Sequence, residues 1–295
     1  MRGRNAVVLV GLAMSACAAK TRDVRPAPPF AAVVGPVIIA HRGGSLEAPE
    51  NTLASMRHGL SSGADWLELD VTLSADDAVI VIHDDAVDRT TDGKGDVSSL
   101  TLSALQKLDA GRPRWSDEAR ARMDTLGVVV PDFANRFAHE RVPTLDEVLR
   151  LPQARVMIEL KKSSRPQRLV EKTLAVIAAT GAADRVGLAS FELELLDEVH
   201  RRDPSLPLIG IVEDREMAMR MLDRPLTVLA VSTDLAADAL VLAPAGVAIW
   251  TWTAYHVEQA AALRDLGVHG IITDAPQAVV RALRAVQPAV ISLSE

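Results

Sequence analysis

The sequence holds a single cysteine, Cys17, among 295 residues. One thiol excludes both a disulfide framework and a thiolate zinc site. Positive charge is also in deficit, with 32 Lys and Arg against 39 Asp and Glu and a net charge of −7. Such a balance argues against a nucleic-acid binder held by phosphate contacts. Long apolar runs are missing, and no Gly-x-Gly-x-x-Gly follows the first apolar run, which speaks against an open dinucleotide-binding sheet. What is present is 48% hydrophobic and 24% charged residues, the composition of a chain that folds into a globule.

The first sixteen residues, MRGRNAVVLVGLAMSA, carry two arginines, then an apolar run, then small residues. This is the layout of a secretory signal peptide (1–16). Cys17 follows Met14-Ser15-Ala16, which resembles a bacterial lipoprotein box cleaved just before a lipid-modified cysteine. Residues 17–36, rich in Ala, Val and Pro, then read as a lipid-anchored tether ahead of a domain spanning 37–295. The expected location is outside the cytoplasm, on a membrane facing the periplasm or cell surface. Oligomeric state is not encoded in these features.

From Val37 onward, short apolar runs alternate with helical patterns. Nine runs predict strands: 37–40, 66–71, 78–82, 155–160, 185–190, 207–212, 226–232, 247–251 and 268–273. Most are rich in Val, Ile and Leu without alternation, as strands buried on both faces of a parallel sheet are. The repeated β-then-α units predict an α/β fold, a (β/α)8 TIM barrel, in which one of the nine runs is not a barrel strand. The weakest are 207–212 and 226–232. Only seven residues, 72–78, join the second and third runs, too few for a crossover helix, so that connection must fold back locally. The long stretch after His83, about 84–142, reads as an insertion after the third strand, over the barrel mouth. Its segment 111–124 carries Arg112, Arg114, Arg120 and Arg122, partly offset by Asp117, Glu118 and Asp124, and is expected to be a solvated loop or helix.

Barrel active sites are built at the carboxyl ends of the strands. There the sequence places His41-Arg42-Gly43, Glu68 and Asp70, His83-Asp84, Glu159-Leu160-Lys161, Trp250-Thr251-Trp252, and Thr273-Asp274. Glu68 and Asp70 are two apart on a strand and face one way, a costly arrangement unless a cation joins them. With Glu159 they make a three-carboxylate set suited to one hard divalent cation, Ca²⁺ or Mg²⁺. His41 and His83 can take and give a proton near neutral pH. Arg42 and Lys161 supply fixed positive charge for a phosphate.

The segments HRGGSLEAPENT (41–52), GADWLELDVTLSADDAVIVIHDD (63–85), VPTLDEVL (142–149), IELK (158–161) and VHGIITDAPQ (268–277) resemble the glycerophosphodiester phosphodiesterase family, motif by motif and in order. The resemblance implies a TIM barrel that hydrolyses a small-molecule glycerophosphodiester with a bound divalent cation. It implies His41 and His83 as catalytic histidines, Glu68, Asp70 and Glu159 as metal ligands, and Arg42 and Lys161 as phosphate contacts. Glu50 matches an acidic residue expected to orient Arg42 or touch the metal, and Trp250 is expected to line the pocket. The family's Trp-Thr-Val-Asn is altered here to Trp250-Thr251-Trp252-Thr253. The implied route is substrate-assisted, through a cyclic phosphate, to glycerol 3-phosphate and an alcohol. Two other readings stand beside it: lysophospholipase D or sphingomyelinase D activity on lipid diesters, and a non-catalytic surface binding lipoprotein.

Overall fold

In the computed structural model, residues 35–111, 121 and 136–284 are described. The signal segment, Cys17, most of the tether and most of the 111–124 segment lie outside the described residues. The chain runs β1 Val37–Ala40, α1 Leu53–Ser61, β2 Trp66–Leu73, β3 Val79–Val81, α2 Leu102–Leu105, α3 Leu145–Leu149, β4 Val156–Leu160, α4 Pro166–Thr180 and β5 Val186–Ser190. It continues with α5 Leu193–Arg202, β6 Leu208–Val212, α6 Arg215–Leu222, β7 Val228–Ser232, α7 Ala236–Leu242, β8 Ala248–Ala254, α8 Val257–Leu266, β9 Gly270–Thr273 and α9 Pro276–Arg284. No helix among the described residues is long and apolar enough to cross a membrane.

Eight strands close a parallel barrel in the order β1-β2-β4-β5-β6-β7-β8-β9, with β9 pairing back onto β1 through Val37↔Gly270 to Ala40↔Thr273. The ninth strand is β3, which pairs antiparallel with the far end of β2 (Val71↔Val81, Leu73↔Val79). The short link 74–78 therefore forms a hairpin, as its length required. Consequently both 207–212 and 226–232, the weakest of the nine runs, are barrel strands, and the run at 78–82 is the one that is not. The insertion follows the third strand in chain order, yet it belongs to the connection between the second and third strands of the barrel. It carries its own small core, in which Val87, Val97, Leu105 and Ala110 pack on Ile80 and Ile82 of the hairpin.

Local chemistry sets the helix ends. Thr52 caps α1 by accepting from Ser55 N while Ser55 Oγ accepts from Thr52 N, each at 3.2 Å. Thr144 and Glu147 do the same for α3. Pro166 opens α4 and Gly181, in the left-handed region, closes it.

Inside the barrel each strand contributes an alternate-residue row. Val37 and Ile39, Trp66, Met157, Ala189, Ile209 and Ile211, Val228 and Ala230, Ala248 and Trp250, and Ile272 form the inner cluster. Two tryptophans fill its waist, Trp66 and Trp250 meeting edge to face at 5.6 Å. Gly270 makes room for this: a Cβ there would stand 2.4 Å from the Trp250 ring. The same rows continue upward past the apolar layer, and there the side chains become polar.

Candidate active site

Two residues further along these rows stand His41 after Ile39, Glu68 and Asp70 after Trp66, Glu159 and Lys161 after Met157, and Asp274 after Ile272. The period-2 geometry of a strand places them on the floor and walls of the barrel mouth. His41, Arg42, Glu68, His83, Glu159 and Lys161 line a cavity of about 300 Å³, whose other wall is Phe191, Ile211, Glu213, Trp252, Thr253 and Tyr255.

Glu68, Asp70 and Glu159 are buried, with one carboxylate oxygen from each lying within 4.8 Å of the others. Burial, together with the Asp70 charge beside it, holds the Glu68 carboxyl above its ordinary range, so its charged form is under strain from its surroundings. Burial likewise raises Glu159, with Asp70 adding to it against Lys161. For Asp70 burial acts in the same sense but is outweighed by Arg42, His83, Lys161 and a 2.8 Å hydrogen bond from Asn51 Nδ2, and its pKa is lowered. Three converging buried carboxylates, two of them held toward the neutral form, are a donor set that a hard divalent cation fits.

The turn after β1 threads through this set. Arg42 takes φ 51°, and Gly43 follows at φ 81° with its missing Cβ 2.5 Å from the Ser55 backbone. Only glycine fits there. The turn aims the Arg42 backbone N–H at Glu68 Oε2 (2.7 Å) and its guanidinium at Glu50 Oε1 (3.0 Å), with Nε 3.5 Å from Asp70 Oδ2. Lys161 Nζ donates to Glu159 Oε1 at 2.7 Å and lies 3.5 Å from Asp70 Oδ1. Both cations thus border the carboxylates and the cavity together.

Each histidine is backed by a carboxylate. His41 Nδ1 meets Asp274 Oδ1 at 2.5 Å, leaving Nε2 3.9 Å from Glu68 Oε2. Burial depresses the His41 imidazole, but the Asp274 charge against it outweighs that, and its pKa lies above the ordinary 6.5. Asp274 is itself tied to Ser45 Oγ at 2.6 Å. His83 Nδ1 meets Asp84 Oδ1 at 2.7 Å. In both cases a carboxylate on Nδ1 fixes the ring and leaves Nε2 as the proton-handling atom.

Behind them runs an ionic chain that sequence reasoning missed. Arg89, in the insertion, donates from Nε to Asp84 Oδ2 (2.7 Å) and from its terminal nitrogens to Asp84 Oδ1 (2.9 Å), Glu50 Oε2 (2.6 Å) and Glu50 Oε1 (2.8 Å). Glu50 therefore bridges Arg89 to Arg42 and stands apart from the carboxylate triad. Burial would raise its pKa, but Arg89 and Arg42 hold it lowered. Asp274, Asn51 and Arg89 went unassigned in the sequence because each acts through another residue.

Trp250 requires a correction. It is fully buried in the inner cluster beneath the cavity and does not line it. Trp252, one inward step higher on β8, does, with its Nε1 donating to Ala230 O at 3.2 Å and its ring edge to face with Phe191 at 5.4 Å.

Comparison with known proteins decides the family. The sequence profile of the Glycerophosphoryl diester phosphodiesterase family matches residues 41–278. The chain belongs to that family. It is 34% identical over 272 residues to a glycerophosphodiester phosphodiesterase of Caldanaerobacter subterraneus, covering 84% of this chain and 98% of that one. Among solved structures it is similar to an Oleispira antarctica phosphodiesterase in complex with the product sn-glycerol-3-phosphate, with TM-score 0.72, 25% identity and 85% and 97% of the two chains covered. A glycerophosphodiester phosphodiesterase from Agrobacterium tumefaciens aligns with TM-score 0.63 at 27% identity, over 83% and 99%.

Proposed function

We propose that this chain, a phosphoric diester hydrolase of the family, cleaves glycerophosphodiesters to glycerol 3-phosphate and an alcohol, using His41 and His83 as acid and base. The observation that carries the reading is one arrangement: two carboxylate-backed imidazoles and two cations bordering a buried carboxylate triad in a single cavity. Arg42 and Lys161 receive the phosphodiester, their charge offset by neighbours enough to accept an anion without clamping it. One imidazole Nε2 takes the proton from the glycerol hydroxyl next to the phosphate. That oxygen attacks phosphorus to give a cyclic phosphate, and the other imidazole returns a proton to the departing alcohol oxygen. Water then opens the ring with the proton roles exchanged. Glu68, Asp70 and Glu159 would hold one divalent cation, Ca²⁺ or Mg²⁺, which supplies charge stabilisation at the phosphoryl oxygens.

The test is release of glycerol 3-phosphate from glycerophosphodiesters by protein lacking residues 1–36, with and without chelator, then with Ca²⁺ or Mg²⁺ restored. Release that stops on chelation and returns with metal is expected. Choline release from lysolipid or sphingomyelin without any from the deacylated diester would replace the reading with a lipid phospholipase D activity. Absence of turnover on every diester would leave a binding lipoprotein.

The same reading includes export and anchoring through acylated Cys17, supported by the apolar leader and the Pro-rich stretch that follows it. Wild-type protein should then fractionate with membranes and the Cys17→Ser variant should not. A soluble wild type with an unmodified N-terminus would overturn the anchor and leave the barrel chemistry as it is.

A further inference from the structure

The cavity has two unlike halves. The strands β1, β2 and β4 contribute the phosphate and carboxylate groups, whereas β5, β6 and β8, across the barrel, end in Phe191, Glu213, Trp252 and Tyr255. No step of the proposed chemistry uses this second half. Its aromatic members are not idle filling of the core: Phe191, Trp252 and Tyr255 are only half-buried and line open space in a chain whose aromatic residues amount to 3%. Phe191 and Trp252 brace each other edge to face, and the Ala230 carbonyl pins the indole, so this wall is rigid before a ligand arrives. Beside it Glu213 is exposed at the end of β6, and no hydrogen bond or ion pair to its carboxylate is found among the described residues. An unpaired carboxylate next to aromatic surface is what a compact organic cation requires, since the ring quadrupole and the fixed charge both attract it. A hydrocarbon chain gains nothing from the carboxylate, and an alcohol with its own negative charge is repelled by it.

We infer that Phe191, Trp252, Tyr255 and Glu213 form a subsite for the alcohol half of the substrate, selecting small cationic alcohols of the ethanolamine and choline class over neutral or anionic ones. The inference rests on the phosphodiesterase reading given above and adds to it which diester is preferred. Placement supports it further. The phosphate-binding cations and this wall line one cavity of about 300 Å³, so a short diester whose central phosphate rests at the cations has its alcohol arm within reach of the wall.

The experiment measures kcat/KM of metal-replete protein on glycerophosphocholine, glycerophosphoethanolamine, the neutral glycerophosphoglycerol and the anionic glycerophosphoserine, for wild type and for Glu213→Gln. The quantity read is the ratio of the choline ester to the glycerol ester. Wild type should favour the choline ester by about tenfold, the size expected of one cation–aromatic contact plus one partly exposed ion pair. Glu213→Gln should bring the ratio down several-fold, and Tyr255→Leu should lower it as well. Thermal melting of each variant checks that the fold persists. A wild-type ratio near one, or a ratio that Glu213→Gln leaves as it was, overturns the subsite while keeping the phosphodiesterase. Failure to hydrolyse any of the four esters overturns the phosphodiesterase reading itself, and the subsite with it.

Discussion

The mouth of the barrel is divided between two sectors that differ in how their side chains are held. In the sector of β1, β2, β4 and the β3 hairpin, each functional group has a partner: His41 has Asp274, His83 has Asp84, Arg42 has Glu50, and Lys161 has Glu159. In the sector of β5, β6 and β8, the groups are aromatic, with Trp252 held by Phe191 and the Ala230 carbonyl, and the Glu213 carboxylate has no hydrogen bond or ion pair among the described residues. Chemistry needs groups fixed to within a fraction of an ångström, which demands partners. Recognition of a varied alcohol needs surface and a charge, which do not. The comparison predicts that substitutions in the first sector cut turnover steeply and those in the second shift preference gently.

The largest expected effect is at the triad. Glu68→Ala, Asp70→Ala and Glu159→Ala should each reduce metal-stimulated turnover to background and weaken cation binding in calorimetry, since each removes an oxygen donor from a set of three. Full activity in any of them after chelator washing and metal restoration would break the ionic sector as drawn. Next come the histidines. His41→Ala and His83→Ala should lower kcat by about 10² to 10⁴-fold, measured on chromatographically pure protein, with KM little changed.

Arg89 sharpens the comparison because it lies outside the cavity yet serves the ionic sector. Arg89→Ala should cost about 10 to 100-fold in kcat, as loss of a residue that orients functional groups does, and Arg89→Lys should recover little because one ammonium cannot hold Asp84 and Glu50 together. A stability signature accompanies it. Glu50 has a folded pKa below its ordinary 4.5, so folding favours its charged form. That contribution is present in full above about pH 4.5 and is lost as the pH falls through the folded value. Urea unfolding at pH 7 and pH 3 should therefore give a smaller difference for Arg89→Ala than for wild type. The smallest effects on activity are expected at the tryptophans. Trp252→Leu should alter KM by a few-fold with the midpoint of unfolding nearly constant, whereas Trp250→Ala should destabilise by about 3–5 kcal/mol, seen in denaturant titration, as truncation of a buried aromatic does.

The two sectors also differ in legibility. The ionic one was readable because acid, base and cation residues at the ends of apolar runs carry their own chemistry, and because the motifs around His41, Glu68, His83 and Glu159 resemble a family. The barrel was readable from buried β-then-α alternation and the hairpin from the short 72–78 link, although 207–212 and 226–232 read as the weakest runs and the run that leaves the ring is β3. The aromatic sector was hidden. Phe191, Glu213 and Trp252 stand one inward step beyond Ala189, Ile211 and Trp250, a period-2 signal that needs strand phase as well as strand position. The resemblance alone puts Trp250 in the pocket and makes Trp252 a departure, whereas the strand phase puts Trp252 at the cavity and Trp250 beneath it. Asp274 stands at a strand end in the sequence, but its pairing with His41 spans 233 residues, and Arg89 joins Asp84, 5 residues away, to Glu50, 39 residues away, a link that no local pattern encodes.

That first separation has a temporal meaning. His41 is carried by the first strand and its carboxylate by the end of the last, and the two meet only when β9 zips onto β1 and the ring is shut. At roughly 5–20 residues per second, a ribosome takes on the order of 10 to 50 seconds to reach Asp274 after placing His41. Only over the last 113 residues of that stretch, after Lys161, does the chain own the carboxylate triad, both histidines and its phosphate-binding cations while the imidazole after β1 still has nothing to orient it. A chain cut before Asp274 therefore lacks the most sequence-distant hydrogen bond described at the site, and should show the loss of rate expected when an orienting partner is removed.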